Sequence, residues 1–171
     1  MHARIGRRGR RREARGAAAV EFALVLLPLL LIVFGIIDYG LYFSNSISVR
    51  QSVREVARQA AVGNYAAPAG CTASTQVERL VCRSNQEAGA LAGTAYSKVI
   101  VPASWGRGSS LVVCTQVRNT GTTGFVPLPA SGYVRSRVQM SIEADTSDVP
   151  APSGTTTSDA LPAGGSWSWC G

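Results

Sequence analysis

The chain has 171 residues, 46% of them hydrophobic and 16% charged, with 17 Lys/Arg against 10 Asp/Glu for a formal net charge of +7. Seven arginines and Glu13 lie within residues 1–16, and the ten remaining cations face nine carboxylates, so the basic excess belongs to one end. That distribution argues against a nucleic-acid-binding domain; a basic arm on DNA is the lesser reading, because arginines just ahead of an apolar span usually mark the cytoplasmic side of a membrane.

Residues 1–16 therefore read as a basic cytoplasmic leader. The apolar run that follows, Ala17 to Ile37, is 21 residues long, and Glu21 is its only ionisable residue. As a helix it spans about 30 Å, enough to cross a bilayer core. Pro28 and Gly35 lie inside it and are tolerated in transmembrane helices more readily than in soluble ones. Asp38, Tyr39, Tyr42 and Phe43 form a polar and aromatic collar suited to the outer interface. A removable secretory signal would fit the basic start, but the run is longer than the usual apolar region of such a signal. No Ala-x-Ala follows it, Ser44-x-Ser46 is a poor substitute, and the paired arginines lack the rest of a twin-arginine signal.

The helical signal continues past a transmembrane segment at 17–38 into an amphipathic extension at 39–63. SISVRQSVREVARQAAVGN places Ile47, Val53, Val56, Ala57, Ala60 and Ala61 at helical spacing. Arg50, Arg54 and Arg58 step by four along another face, with Glu55 placed to pair with Arg58. That row reads as a solvated face or as a docking stripe for neighbouring subunits. Gly63-Asn64 suits a helix stop. One helix from about Ala17 to Val62 is expected.

Residues 64–144 read as a small extracytoplasmic head with a short helix and about three antiparallel strands, an α+β arrangement. Thr75-x-x-Glu78 is a capping box that opens the helix, with Val77, Leu80, Val81, Ala88 and Leu91 recurring along it as far as Gly93. The β-type runs are Ser97–Val101, Ser110–Arg118 and Tyr133–Ala144. In the last, Val134, Val138, Met140 and Ile142 nearly alternate with Arg135, Arg137, Gln139 and Ser141, as in a sheet with one wet face. Trp105-Gly106-Arg107-Gly108 suits the first turn, and residues 119–132 a longer connection. Residues 145–166, rich in Pro, Ser, Thr, Gly and Ala, read as a linker or tail with little capacity to fold alone. SWSWCG closes the 145–171 segment. As an extended strand it would put Trp167 and Trp169 on one face and Cys170 on the other. It either docks back on the head or displays an aromatic patch to a partner.

The cysteines, Cys71, Cys82, Cys114 and Cys170, all lie beyond the apolar run, on the side where this topology allows disulfides to persist. Three connectivities are open; Cys71–Cys82 with Cys114–Cys170 is favoured because the first pair is local. There is no CxxC, and His2 is the sole histidine, so no metal site, no cofactor site and no histidine-based catalytic site is expected. Asp145 and Asp148 could imitate a carboxylate pair but read as solvated loop residues. The chain is expected not to be an enzyme.

Glu21 is the informative residue, since a carboxylate in an apolar span costs about 2.5–3.5 kcal/mol at the bilayer centre and less near an interface. It either sits at headgroup level or has a functional partner. Gly16 followed by AAAV and then Glu21-Phe22 resembles a class III signal peptide of the tight-adherence (Tad/Flp) branch of type IV pilins. The continuation, AVEFALVLLPLLLIVFGIIDYGLYF and then VREVARQAA, resembles the TadE-like minor pseudopilins over about residues 16–62. That resemblance implies cleavage between Gly16 and Ala17 by a membrane prepilin peptidase. Glu21 and Phe22 would be recognition residues, with Glu21 pairing with the new Ala17 amine or a neighbouring subunit's amine. It further implies a single-pass protein of the cytoplasmic membrane, its head outside and able to reach the pilus or cell surface. Its partners would be other pilin or pseudopilin subunits and the assembly machinery of an Flp-type pilus, with no nucleic acid. The alternative is an uncleaved single-pass anchor displaying a disulfide-linked binding head.

Overall fold

The computed structural model describes residues 8–89, 93–119, 124, 127–143, 145–163 and 165–171, with side chains from residue 16 onward. Arg4 and Arg7 of the leader, Leu91 of the second helical pattern and Ala144 of the third β pattern lie outside the described residues. The fold is α+β, as expected: α1 (Arg8–Ala61), α2 (Gln76–Gly89), β1 (Ala95–Ile100), β2 (Ser110–Arg118), β3 (Tyr133–Ser141) and a two-residue β4 (Thr157–Ser158). The sheet is antiparallel in the order β3-β2-β1-β4.

α1 is one helix of 54 residues that runs through Pro28. Its end is built by Gly63 at φ 77°, a left-handed conformation that glycine adopts without steric cost. The Gly63 amide donates to the Ala60 carbonyl (3.1 Å) and the Asn64 amide to the Gln59 carbonyl (2.9 Å). These two bonds make a Schellman stop, so the carbonyls of the last turn are satisfied at the predicted place. The start of α2 is equally legible. The Glu78 amide donates to Thr75 Oγ1 (3.2 Å), and Glu78 Oε2 accepts from the Thr75 and Ser74 amides (3.1 and 3.0 Å), which is the reciprocal capping box.

The core lies between the helices and one sheet face. Val49, Val53, Val56, Ala57 and Ala60 of α1 and Val77, Leu80 and Ala88 of α2 meet Val99, Leu111, Val113, Val117 and Val134 of the sheet. Thr115, at the centre of β2, has its hydroxyl 2.6 Å from that of Ser84 and 2.9 Å from that of Ser97, so the hydroxyls buried there are paired. Ile47 does not join this face and is 57% exposed. It lies six residues before Val53, about 120° around the helix at 3.6 residues per turn, so Val49 takes the buried position instead.

The segment whose composition suggests a linker or tail runs back along the head. Val149 and Pro152 are buried. Tyr65 Oη donates to the Pro150 carbonyl (3.0 Å) and Trp105 Nε1 to the Val149 carbonyl (3.0 Å). Ser153 exchanges bonds with the start of α2, its Oγ accepting from the Gln76 amide (3.1 Å) and its carbonyl from the Val77 amide (3.1 Å). Thr157 and Ser158 then pair with Val99 and Lys98 as β4. Low hydrophobicity leaves such a segment unable to fold alone, but an existing surface satisfies its backbone groups. The chain ends against the far sheet face, where Cys170 joins Cys114, and β2 is consequently buried on both faces.

Candidate functional site

The sequence directs attention to the first half of α1. Gly16, Ala17 and Glu21 are exposed, and a Cβ built on Gly16 meets nothing within 4 Å. Phe22 is 66% exposed, and the large apolar residues from Val20 to Ile37 are open around the whole circumference. A helix with apolar residues all round has no wet face to offer solvent, so its partner is lipid or other helices. Among the described residues this is one helix long and apolar enough to cross a membrane. Glu21 makes no ion pair among the described residues.

The exposure pattern changes at Asp38. From there one stripe of α1 is buried, running through Asn45, Val49, Ser52, Val53 and Val56. Asp38 itself is 1% exposed, so it is covered by the protein and not displayed in an interfacial collar. Tyr39 Oη donates to the Pro127 carbonyl at 3.2 Å, which ties the connection between β2 and β3 to the helix at this level. Tyr42 and Phe43 stack edge to face at 5.7 Å, with Phe43 largely exposed. The head thus reaches down to the end of the apolar span, and the outer half of α1 is a structural member of the head.

On the side of α1 away from the sheet, Arg50, Arg54 and Arg58 are exposed in a row. Arg58 Nε and Nη2 grip the two oxygens of Glu55 at 3.0 and 2.7 Å, and Gln59 Nε2 adds a bond of 2.7 Å. The hydrogen bond from Arg58, followed by that from Gln59, lowers the Glu55 carboxyl to about 2. The pair is solvent-facing, so it orders local side chains more than it stabilises the fold.

The remaining candidates take structural places. Cys71 bonds to Cys82 and Cys114 to Cys170, the pairing favoured from the sequence. Asp145 is an exposed turn former: its carbonyl accepts from the Asp148 and Val149 amides (3.0 and 2.9 Å), and its Oδ1 accepts from the Thr146 amide (2.7 Å). An open groove of about 440 Å³ lies beside the Cys71–Cys82 bridge, lined in part by Asn85, Gln86 and Asp159. Asp159 Oδ2 accepts there from Asn85 Nδ2 (2.8 Å) and the Ser97 amide (2.7 Å), so this carboxylate clamps β4 to the head. Nothing in the polar run around Asp159 distinguishes it in sequence; its role appears only once α2 and β1 meet. Among the described residues no three His, Cys, Asp or Glu side chains come together as a metal-binding group.

The C-terminal segment is docked, not displayed. Its last residues make a turn and not an extended strand, with the Cys170 amide donating to the Trp167 carbonyl at 2.9 Å. Trp167 and Trp169 are half-buried with ring centroids 5.8 Å apart, and Trp167 Nε1 donates to the Asp159 carbonyl. Arg137 Nε donates to the Cys170 carbonyl at 2.9 Å.

Residues 16–58 match the family model described as TadE-like protein. The match spans the exposed apolar helix and its amphipathic continuation and includes none of the sheet. No curated protein and no solved structure matches the chain.

Proposed function

We propose, with the TadE-like match over residues 16–58 as the premise, that this protein is a structural pseudopilin of a tight-adherence pilus system. In this reading residues 17–38 are held in the cytoplasmic membrane, the basic leader stays inside and the disulfide-bonded head lies outside. A prepilin peptidase cuts after Gly16. Ala17 becomes the first residue of the mature chain, and its new amine, or that of a neighbouring subunit, is the charge partner of Glu21. The protein acts by taking its place among pilin-like subunits and assists assembly of an Flp-type pilus. It carries out no catalysis.

The observation that carries the reading is a TadE-like sequence on a helix apolar on every side, with one carboxylate near its start that makes no ion pair among the described residues. A lipid-facing carboxylate without a partner is costly, and a mobile subunit amine would remove that cost on assembly. The continuity of α1 from Arg8 through Gly16 favours a second reading, an uncleaved anchor that keeps its basic end. N-terminal sequencing of the membrane-extracted protein, made with and without prepilin peptidase, separates the two. A start at Ala17 supports the pseudopilin, and an intact Met1 end with active peptidase refutes it. Glu21→Ala is expected to insert normally while lowering processing or pilus assembly; wild-type levels of both would remove the role assigned to Glu21.

A further inference from the structure

The exposed surface of α1 stays uncharged well past Ile37. Between Glu21 and Arg50 the one Asp, Glu, Lys or Arg is Asp38, which is 1% exposed. As a helix, residues 22–49 cover about 42 Å, against about 30 Å for the hydrocarbon core of a bilayer and about 40–45 Å with its headgroup layers. The uncharged length thus matches the whole bilayer, headgroups included. Ile36, Gly40, Phe43 and Ile47 follow at steps of four, three and four on the side away from the sheet, and all are exposed. Arg50, Arg54 and Arg58 then continue the same stripe. Two polar residues of this stretch make no demand on water: Asn45 is buried, and Ser48 Oγ donates to the Ser44 carbonyl at 3.1 Å.

The head adds uncharged surface at the same level. Tyr39, about 3 Å along the axis from Ile37, holds the Pro127 carbonyl, so the connection between β2 and β3 lies beside the first turn past the apolar run. Residues 119–132 carry no charged side chain. Pro127 and Pro129 are exposed, Leu128 is half-exposed, and the two prolines bring no backbone N–H that would need a partner. On α1, Leu41 is 45% exposed and points about 160° away from Phe43. Uncharged surface therefore surrounds the helix where the apolar run ends. A single partner helix covers one side of such a ring, whereas a lipid layer covers all of it.

We infer that the base of the head is seated in the outer headgroup layer of the membrane. Leu41, Phe43 and Ile47 of α1 and Pro127, Leu128 and Pro129 of the β2–β3 connection are its phospholipid contacts. Arg50 and Arg54 mark the boundary with water, where long cationic side chains reach the headgroups while their stems lie on apolar surface. The head does not stand clear of the bilayer on a stalk of free helix. One continuous α1 supplies both the apolar run and, through Val49, Val53 and Val56, the core of the head, so the depth of the first sets the depth of the second. Such seating rests on the reading of residues 17–38 as a membrane span and holds whether or not the chain is cut after Gly16.

The test uses the full chain in phosphatidylcholine vesicles that carry a nitroxide on the headgroup. The four native cysteines are paired, so one added cysteine takes one fluorophore. Labels are placed by Leu27→Cys in the span, Phe43→Cys and Leu128→Cys at the base, and Arg107→Cys at the opposite end of β2, a strand of nine residues and so about 30 Å long. The labels at 43 and 128 are expected to lose most of their emission to the headgroup nitroxide and to resist iodide in the water. The label at 107 should keep its emission beside the nitroxide and lose it to iodide, and the label at 27 should be shielded from iodide. Uptake of a single label without reductant reports that both disulfides have formed; where Phe43→Cys or Leu128→Cys fails this, Ile47→Cys or Pro129→Cys is read in its place. A label at 27 open to iodide would refute the membrane span and the seating with it. A shielded label at 27, with either base label behaving like that at 107, would overturn the seating alone. So would base labels shielded from iodide yet untouched by the nitroxide, since protein would then cover them.

Discussion

Removing the Cys114–Cys170 disulfide by a Cys114→Ala, Cys170→Ala double substitution tests how the C-terminal segment is held. The two cysteines are 56 residues apart in sequence, and the loop-entropy relation gives about 4 kcal/mol for closing a loop of that length. The same relation gives about 3 kcal/mol for Cys71–Cys82, separated by 11 residues. The longer bridge also brings Cys170, fully buried, against Val112 and positions Trp167 and Trp169. Urea unfolding of the full chain in micelles, followed by tryptophan emission, measures both losses. The 114/170 variant is expected to lose about 4 kcal/mol and to show a red-shifted emission already in the folded state, as Trp167 and Trp169 gain water. The 71/82 variant should lose less and keep the parent emission. A loss below about 1 kcal/mol for the long bridge, or a larger loss for the short one, would refute the view that the chain end is an integral third layer.

The phase of α1 is tested by two substitutions of one kind. Val53→Asp places a carboxylate where no solvent reaches and is expected to cost several kcal/mol or prevent folding, whereas Ile47→Asp, at a position 57% exposed, should leave urea stability nearly unchanged. Burial pushes the Tyr65 hydroxyl up to about 12, so the fold favours the neutral phenol. Its contribution is complete below pH of about 10, the ordinary tyrosine value, and is lost as pH rises through about 12. Unfolding curves across that window should show the loss, and Tyr65→Phe should remove it. Bonds from the Thr75 amide, then the Ser74 hydroxyl, hold the Glu78 carboxyl below its usual range. Its cap therefore supports α2 above about pH 4.3 and weakens as pH falls, a trend that Glu78→Gln should flatten in helix content measured by circular dichroism.

Much of this architecture is local and could be read without coordinates. A 21-residue apolar run, a glycine where the helix must turn left-handed, and a threonine three residues before a glutamate each specify structure through neighbouring atoms. The boundaries of β2 follow from its β-rich run, and those of β3 nearly so. Two errors share one cause. Ile47 is apolar but lies out of phase with the core, and Asp38 is polar but covered, because what a helical residue meets depends on which side the sheet approaches. Composition likewise identifies residues 145–166 as unable to fold alone and says nothing of the surface that orders them.

The sequence by itself determined the linear plan: a basic N-terminal stretch, a single apolar helix with Glu21 near its start, an amphipathic continuation and a cysteine-bearing α+β head. These follow from periodicity, length and short-range hydrogen bonding, which act between residues close along the chain. Only the tertiary structure decided that the outer half of α1 is core to the head, that Asp159 clamps β4, and that Cys170 returns to Cys114. It also decided that the connection between β2 and β3 meets α1 at Tyr39. Those relations join residues tens of positions apart. They depend on which strands pair and in what register, which the hydrophobic pattern of each segment alone does not specify.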